Sequence, residues 1–342
     1  MKLLITGGYG FLGANLAFEG LRRGIEVTIF DNLSRTGSEL NRNWLEKSGA
    51  HSFVHADIRD SVTVDAVVNK LRPDAIFHLA GQVAMTSSLS NPRTDFEINT
   101  LGTINILEAV RTYVPKCALI YSSTNKVYGE LANFTYEENS SRWFCKDMPN
   151  GFDESTSLSF NSPYGCSKGA ADQYALDYHR MFGTRAVVFR HSSMYGSRQF
   201  ATTDQGWIGW FCSEALRIGR GDSGPITISG DGKQVRDVLH AEDMVKLYFF
   251  ALEQINQVAG QVFNIGGGMS NSLSLLELFA ILEDILKVSL PVVSGPPRTS
   301  DQLVFVADIA KATHMLGWSP TVSAKEGIIK MIEWIREWEA RR

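Results

Sequence analysis

Tyr164 and Lys168 stand four residues apart in Ser162-Pro163-Tyr164-Gly165-Cys166-Ser167-Lys168, so on a helix the phenol and the ammonium share one face. An ammonium ~4 Å from a phenol, at an effective dielectric of ~20, favours the phenolate by about 4 kcal/mol. That upper bound equals about three pKa units and would bring a tyrosine from ~10 to near 7, where it is a general base at neutral pH. A second constellation opens the chain: Gly7, Gly10 and Gly13 follow the apolar run Lys2-Leu-Leu-Ile-Thr6, and Asp31 ends the later run Val27-Thr-Ile-Phe30. Gly7 carries the backbone through a turn, Gly10 lets the main chain approach a pyrophosphate, and Gly13 lets helix and strand pack closely. The carboxylate of Asp31 accepts ribose hydroxyls and repels a 2′-phosphate, which favours NAD over NADP.

The elements that must position these groups follow from periodicity. Short apolar runs alternate with helical patterns from Met1 to about Arg190, the sign of right-handed βαβ units and a parallel sheet. Strands are expected at the opening run, Val27–Phe30, Phe53–His55, Ala75–Ala80, Ala118–Tyr121 and Ala186–Phe189. Helices are expected after the glycine turn, around Trp44, over Val62–Leu71, as one long element over Thr94–Tyr113, and over Tyr164–Phe182. Ala118–Tyr121 runs into Ser122-Ser123-Thr124, and ligands of such sheets bind outside the carboxyl ends of the strands. Residues 125–163 read as a loop-rich insertion of functional length. Beyond Arg190 the alternation fades into helices at Trp207–Ile218, Ala241–Leu252, Ser274–Leu286 and Ser323–Ala340, with short strands between them. Ile328, Ile332, Ile335 and Trp338 form a core-facing stripe on the last helix.

The fold class is therefore α/β: a doubly wound parallel Rossmann sheet with a smaller mixed α/β C-terminal substrate domain. Residues 1–190 are expected to form the NAD-binding domain, with part of 233–266 returning to it, and 191–342 the substrate domain. With 342 residues, 44% hydrophobic and 20% charged, the chain supports a sizeable core. Its net charge of −4, without a basic run, argues against a nucleic-acid or anionic-membrane partner. The apolar stretches are too short to span a bilayer and no leader precedes the first strand, so the expected location is cytoplasmic. Cys117, Cys145, Cys166 and Cys212 are dispersed, which suggests four reduced thiols and no metal site.

Taken together, the Gly7, Gly10, Gly13 turn, Asp31, Asp57-Ile58, His78-Leu-Ala-Gly81, Tyr164 with Lys168, Arg236-Asp237-Val238 and Asn264-Ile-Gly-Gly267 resemble the extended short-chain dehydrogenases/reductases of the NAD-dependent epimerase/dehydratase family. Three longer strings, Ser123–Gly129, Ser162–Gln173 and Arg190–Gly196, resemble its branch that inverts C2 of CDP-activated dideoxyhexoses. The resemblance implies Thr124, Tyr164 and Lys168 as catalytic residues, with Thr124 bonding the reacting sugar oxygen. It implies cofactor contacts from Gly7, Gly10, Phe11, Leu12, Gly13, Asp31, Asn32, Asp57, Ile58, Leu79, Ala80, Gly81, Asn99, Tyr164, Lys168 and His191. It further implies substrate contacts from Val83, Met85, Thr124, Ser193, Met194, Gln199, Phe200, Arg236 and Arg298, with the arginines on the diphosphate. Val83, Met85, Met194, Phe200 and Trp207 would give a deoxy sugar an apolar surround. Relatives that dehydrate or decarboxylate carry an acid directly after the strand-end hydroxyl; Asn125 and Lys126 stand here, which leaves epimerisation or simple oxidation. A CDP-activated hexose is the expected substrate, NAD the cofactor, and a homo-oligomer, dimer or tetramer, the expected assembly through Ile98, Leu101, Ile104 and Leu107. The rival readings are a C4-epimerase or dehydrogenase on another nucleotide sugar, and a non-catalytic NAD sensor.

Overall fold

The computed structural model describes residues 1–298 and 301–340. Five strands alternate with helices through the first third of the chain: β1 (Lys2–Thr6), α1 (Phe11–Arg22), β2 (Glu26–Asp31), α2 (Ser38–Ser48), β3 (Ser52–His55), α3 (Ser61–Leu71), β4 (Ala75–His78), the short α4 (Met85–Ser90), α5 (Pro92–Phe96), α6 (Gly102–Tyr113) and β5 (Ala118–Thr124). After the hairpin β6 (Tyr136–Glu138) and β7 (Trp143–Cys145) come α7 (Pro163–Phe182), β8 (Arg185–His191) and β9 (Ser193–Tyr195). The rest is α8 (Trp207–Gly219), β10 (Ile226–Ser229), β11 (Val235–His240), α9 (Ala241–Glu253), α10 (Ile255–Val258), β12 (Val262–Ile265), β13 (Ser272–Ser274), α11 (Leu275–Leu286), β14 (Val292–Gly295), β15 (Val304–Phe305), α12 (Ala310–Leu316) and α13 (Ala324–Ala340).

Seven parallel strands make the central sheet in the order β12-β8-β5-β4-β1-β2-β3, the expected doubly wound fold. Because side chains alternate along a strand, Leu3 and Ile5 enter the core under α1 and α9, whereas Leu4 enters the core under α3, α6 and α7. Both faces are covered, which is why these strands read as unbroken apolar runs. The second half builds a smaller layer from β13-β11-β15, with β9 added to β11 and β10 paired with β14. Helices α8, α11 and α13 close it around Ile208, Leu278, Ile328 and Ile332.

One element differs from expectation. The single helix read over Thr94–Tyr113 is α5, a π turn over Glu97–Leu101, and α6. A single π turn continues the helix without a break, so a stretch that reads as helical throughout does not reveal it. On α13, Ile328, Ile332 and Ile335 are buried and Trp338 packs half-buried against Phe200, as expected, while Trp334 adds to the buried face.

Candidate active site

The carboxyl ends of β1, β2, β4, β5 and β8 form one rim, and most of the expected site residues lie along it. Gly7 holds φ +68°, a conformation natural to glycine, and a Cβ there would stand 2.8 Å from the Ala80 nitrogen. A Cβ on Gly13 would fall 2.3 Å from the Gly7 oxygen, so the turn, the start of α1 and the Leu79-Ala80-Gly81 loop pack backbone to backbone. Gly10 is the N-cap of α1 without a side-chain cap; the first amides, on Phe11, Leu12 and Gly13, have no partner among the described residues and stand as donors at a positive helix end. Asp31 ends β2, accepts from the Tyr9 and Leu33 amides at 2.9 and 2.7 Å, and is held in place by them. Beside it Asn32 donates to Asp57 at 2.9 Å, and Arg59 grips Asp57 with two bonds of 2.9 Å, holding that carboxyl down at about 2. Ile58 is packed against Gly102.

Thr124 is the last residue of β5, in register with His191 at the end of β8. Ser162 caps α7 by accepting from the Gly165 amide, and Pro163 occupies the first turn, where its missing N–H costs nothing. Helix α7 is thereby started so that Tyr164 and Lys168 face the strand ends. Tyr164 stands close enough to Thr124 for that hydroxyl to pull its phenol down, Lys168 donates to the Ser122 carbonyl, and the Lys168 ammonium lies 4.4 Å from the Tyr121 ring centre. Phenol, hydroxyl and ammonium converge.

Their electrostatics reverse one expectation. Burial pushes the Tyr164 phenol up to about 12, against the downward pull of Thr124. Burial also brings Lys168 down to about 7, with Asp172 and Asp95 opposing. The ammonium is directed at a carbonyl and a ring face and does not lower the phenol; desolvation outweighs the pairing that the i, i+4 spacing implied.

His191 is buried, within 3.0 Å of the Tyr248 hydroxyl through Nε2, and burial carries it down to about 3. Its ring is neutral, and Nδ1 has no partner among the described residues. Asn99, inside the π turn, accepts from the Gln82 amide at 2.9 Å and donates towards the Gln82 carbonyl and Ser167 at 3.0 Å. It stands behind Lys168 as a brace between the loop after β4 and α7, rather than as an exposed ligand. Val83 and Met85 follow that loop, half-buried. Ser193 accepts from the Trp207 indole at 3.0 Å, and Gln199 donates to the Met194 carbonyl at 3.0 Å. Phe200 departs from the expected sugar surround: it lies against Trp334 and Trp338 at 5.4 and 5.0 Å and beside Gly37. The loop after β2 and helix α13 enclose it as a packing residue. Met194 likewise packs against the main core.

Arg236 in β11 bonds Asp301 at 2.6 Å, while Arg298 is exposed and donates to the Thr203 carbonyl at 3.4 Å. The loop-rich reading of 125–163 is met in part: Asn125–Tyr128 is a 3₁₀ turn, and β6 and β7 form a hairpin tied to Lys233.

Sequence reasoning overlooked a buried network beneath Thr124. Arg190 forms two 2.9 Å bonds to Asp172, Ser123 donates to Asp172 at 2.7 Å, and Arg190 also donates to the Tyr128 hydroxyl at 2.9 Å. Tyr128 continues to Asn264 at 2.7 Å. A parallel set joins Asp95 to Ser167 and Gln82. These bonds fix α7 against β5 and β8. The available signal was Asp172 itself, four residues past Lys168 and so on the same face of α7.

A model of the NAD dependent epimerase/dehydratase family matches residues 3–266. The chain is 60% identical to CDP-paratose 2-epimerase of Salmonella typhi, over 98% of this chain and 99% of that protein. It is 31% identical to UDP-glucose 4-epimerase of Mycolicibacterium smegmatis, over 98% and 99%. Among solved structures, UDP-glucose 4-epimerase from Thermotoga maritima with UDP-glucose superposes with a TM-score of 0.84 at 30% identity, covering 99% of this chain and 100% of that one. UDP-glucuronic acid 4-epimerase from Bacillus cereus, in complex with UDP-glucuronic acid and NAD, gives 0.83 at 27%, over 99% and 100%.

Proposed function

The chain belongs to the NAD dependent epimerase/dehydratase family, and from that membership we propose that it interconverts CDP-paratose and CDP-tyvelose by inverting C2, with NAD held tightly throughout. The observation that carries this reading is the meeting of Thr124, Tyr164 and Lys168 at the carboxyl end of β5 in a chain 60% identical to a CDP-paratose 2-epimerase over 98% of its length.

The residues fit the cofactor. The crowded glycine turn leaves uncapped helix amides for a pyrophosphate, Asp31 ends its strand where ribose hydroxyls would be accepted, and the unpartnered Nδ1 of His191 lies beside Thr124 in the sheet. NAD, when bound, supplies reversible oxidation at C2, which a sugar C–H with no neighbouring carbonyl requires, and brings a positive ring towards the phenol. Tyr164 Oη takes and returns the 2-hydroxyl proton, and Thr124 Oγ1 holds that oxygen during the exchange. Lys168, whose charge Asp172 and Asp95 favour and whose ammonium is held at the Ser122 carbonyl, orients the cofactor ribose beside the phenol. Arg236 and Arg298 bind the diphosphate, whose grip leaves the sugar free to present either face. Asn125 and Lys126 provide no carboxylate for pulling a ring proton, consistent with inversion over elimination.

Purified protein given CDP-paratose or CDP-tyvelose should approach one mixture from either side, observed at C2 by NMR, and in D2O the C2 hydrogen should be retained. The Tyr164→Phe variant should keep NAD and lose turnover by about a hundredfold or more. Turnover of UDP-hexoses at C4, with CDP-sugars untouched, would overturn the assignment in favour of a C4-epimerase.

We further place the protein in the cytoplasm, supplying a deoxy sugar for O-antigen assembly, as a homodimer or larger homo-oligomer. Among the described residues no helix is long and apolar enough to cross a membrane. Of the stripe expected to pair subunits, Leu107 is buried and Ile98 and Ile104 pack inward, whereas Leu101 is 40% exposed. Phe96 on α5 and Tyr174 and Phe182 on α7 are exposed as well, and these supply the better interface candidates. A monomeric mass in light scattering at micromolar concentration would contradict the assembly.

A further inference from the structure

Lys126 lies between the reacting centre and the arginine cluster. Its amide donates to Thr124 Oγ1 at 3.2 Å, and its carbonyl faces Gly165 in the first turn of α7. Its side chain runs the other way, to Asp301 at 3.5 Å, where Arg236 also arrives at 2.6 Å. The arrangement is braced by its neighbours: Asn125 donates to Gln302 at 3.1 Å, and Gln302 donates to the Gly129 carbonyl at 2.7 Å. Arg298 adds its charge to the same group. Three cations thus face one carboxylate, and two positive charges go unmatched among the described residues. A diphosphate ester brings about one negative charge per phosphate, enough to balance them.

We propose that Lys126 binds the sugar-side phosphate of the substrate, and that Asp301 is an internal counter-anion which the diphosphate outcompetes on binding. This rests on the nucleotide-sugar reading and extends it to a residue outside the arginine pair. The line from Thr124 through Lys126 to Arg236 orders the substrate: reacting carbon, anomeric phosphate, outer phosphate. C2 adjoins the anomeric carbon, so a cation on that phosphate anchors the pivot about which the sugar must turn. Burial, reinforced by Arg236, also brings the Lys126 ammonium down to about 8, whereas Asp301, despite burial, is held below the usual carboxylate range by Arg236 and Lys126. Of the groups facing one another here, Lys126 is therefore the one that titrates near neutrality.

Calorimetry on the NAD-loaded protein tests this with CDP, CMP and inorganic pyrophosphate. Lys126→Met should weaken CDP and pyrophosphate by about tenfold to a hundredfold, the range for a lost charged hydrogen bond, and weaken CMP far less. Lys126→Arg should restore most of the affinity. CDP affinity of the parent should fall from pH 7 to pH 9 and that of Lys126→Arg should stay flat. Asp301→Asn should tighten pyrophosphate severalfold. Unchanged CDP and pyrophosphate binding in Lys126→Met, or an equal loss for CMP, would overturn the role of Lys126. Unchanged or weaker pyrophosphate binding in Asp301→Asn would overturn the counter-anion. Because pyrophosphate carries neither base nor sugar, its arm judges the cluster even where CDP fails to bind the parent, a result that would instead count against the nucleotide-sugar reading. Retained NAD and an unchanged melting profile exclude misfolding as the cause.

Discussion

Asp172 and Asp301 both face arginines, yet the two regions around them are built on opposite terms. Asp172 is fully buried and Arg190 nearly so; each oxygen has a guanidinium partner, and Ser123 and Gln173 complete the set. Charge and hydrogen bonding are balanced within the protein, and such a site has nothing left to offer a ligand. Asp301 is partly exposed and outnumbered by cations. A saturated ion pair is scaffold, whereas an unbalanced one is a binding site held ready.

The largest effect expected from this contrast is on stability. Arg190→Ala leaves the Asp172 carboxylate buried without its cation and should cost about 3–5 kcal/mol, read as a lower denaturant midpoint. Adding Asp172→Leu to an Arg190→Met background should recover part of that loss, because the uncompensated charge is gone even though Ser123 and Tyr128 lose a partner. A loss below about 1 kcal/mol for Arg190→Ala would place this pair with ordinary surface bridges. Arg236→Ala should do the reverse: stability within about 1 kcal/mol of the parent, with KM for the CDP-sugar raised about tenfold to a hundredfold. Equal losses of stability for the two arginines would erase the distinction.

The same contrast explains what could be read from the sequence. The glycine turn, Asp31, the strand ends and the Tyr164–Lys168 spacing are local, and a period of two or of 3.6 residues reveals them. The parallel sheet was legible for the same reason, since its strands are unbroken apolar runs. Asp172 with Arg190, Asp95 with Ser167 and Lys126 with Asp301 join residues 18, 72 and 175 positions apart, and no local pattern announces such partners. Phe200 misled because a large apolar side chain looks alike in a pocket and in a junction. The acidity of Tyr164 misled because spacing shows the neighbouring charge but not the depth of burial, which here prevails. Short pieces such as β9 and α12 were overlooked since three to seven residues carry too little periodicity to stand out.

Asp237 supplies the third case: a carboxylate with no cation paired to it among the described residues. It is buried in β11, accepts from the Gly268 and Ala307 amides at 3.2 Å through one oxygen, and has its other oxygen unpartnered among the described residues. Burial lifts its carboxyl to about 6, against the pull of Ser192 and the backbone amides. An acid whose folded pKa exceeds its unfolded value of ~3.9 stabilises the fold most where it is protonated, so its contribution is complete below about pH 4 and is lost as pH rises through about 6. The expected size is about 3 kcal/mol at most, since the carboxyl moves by about two units and each unit corresponds to ~1.4 kcal/mol. Asp237→Asn, neutral at every pH and still able to accept those amides, should flatten that segment of the stability curve and melt higher than the parent at pH 7. A parent whose stability rises between pH 4 and pH 6 by the same amount as the variant's would show that Asp237 is charged in the fold, and that a buried carboxylate here can be satisfied by backbone amides alone.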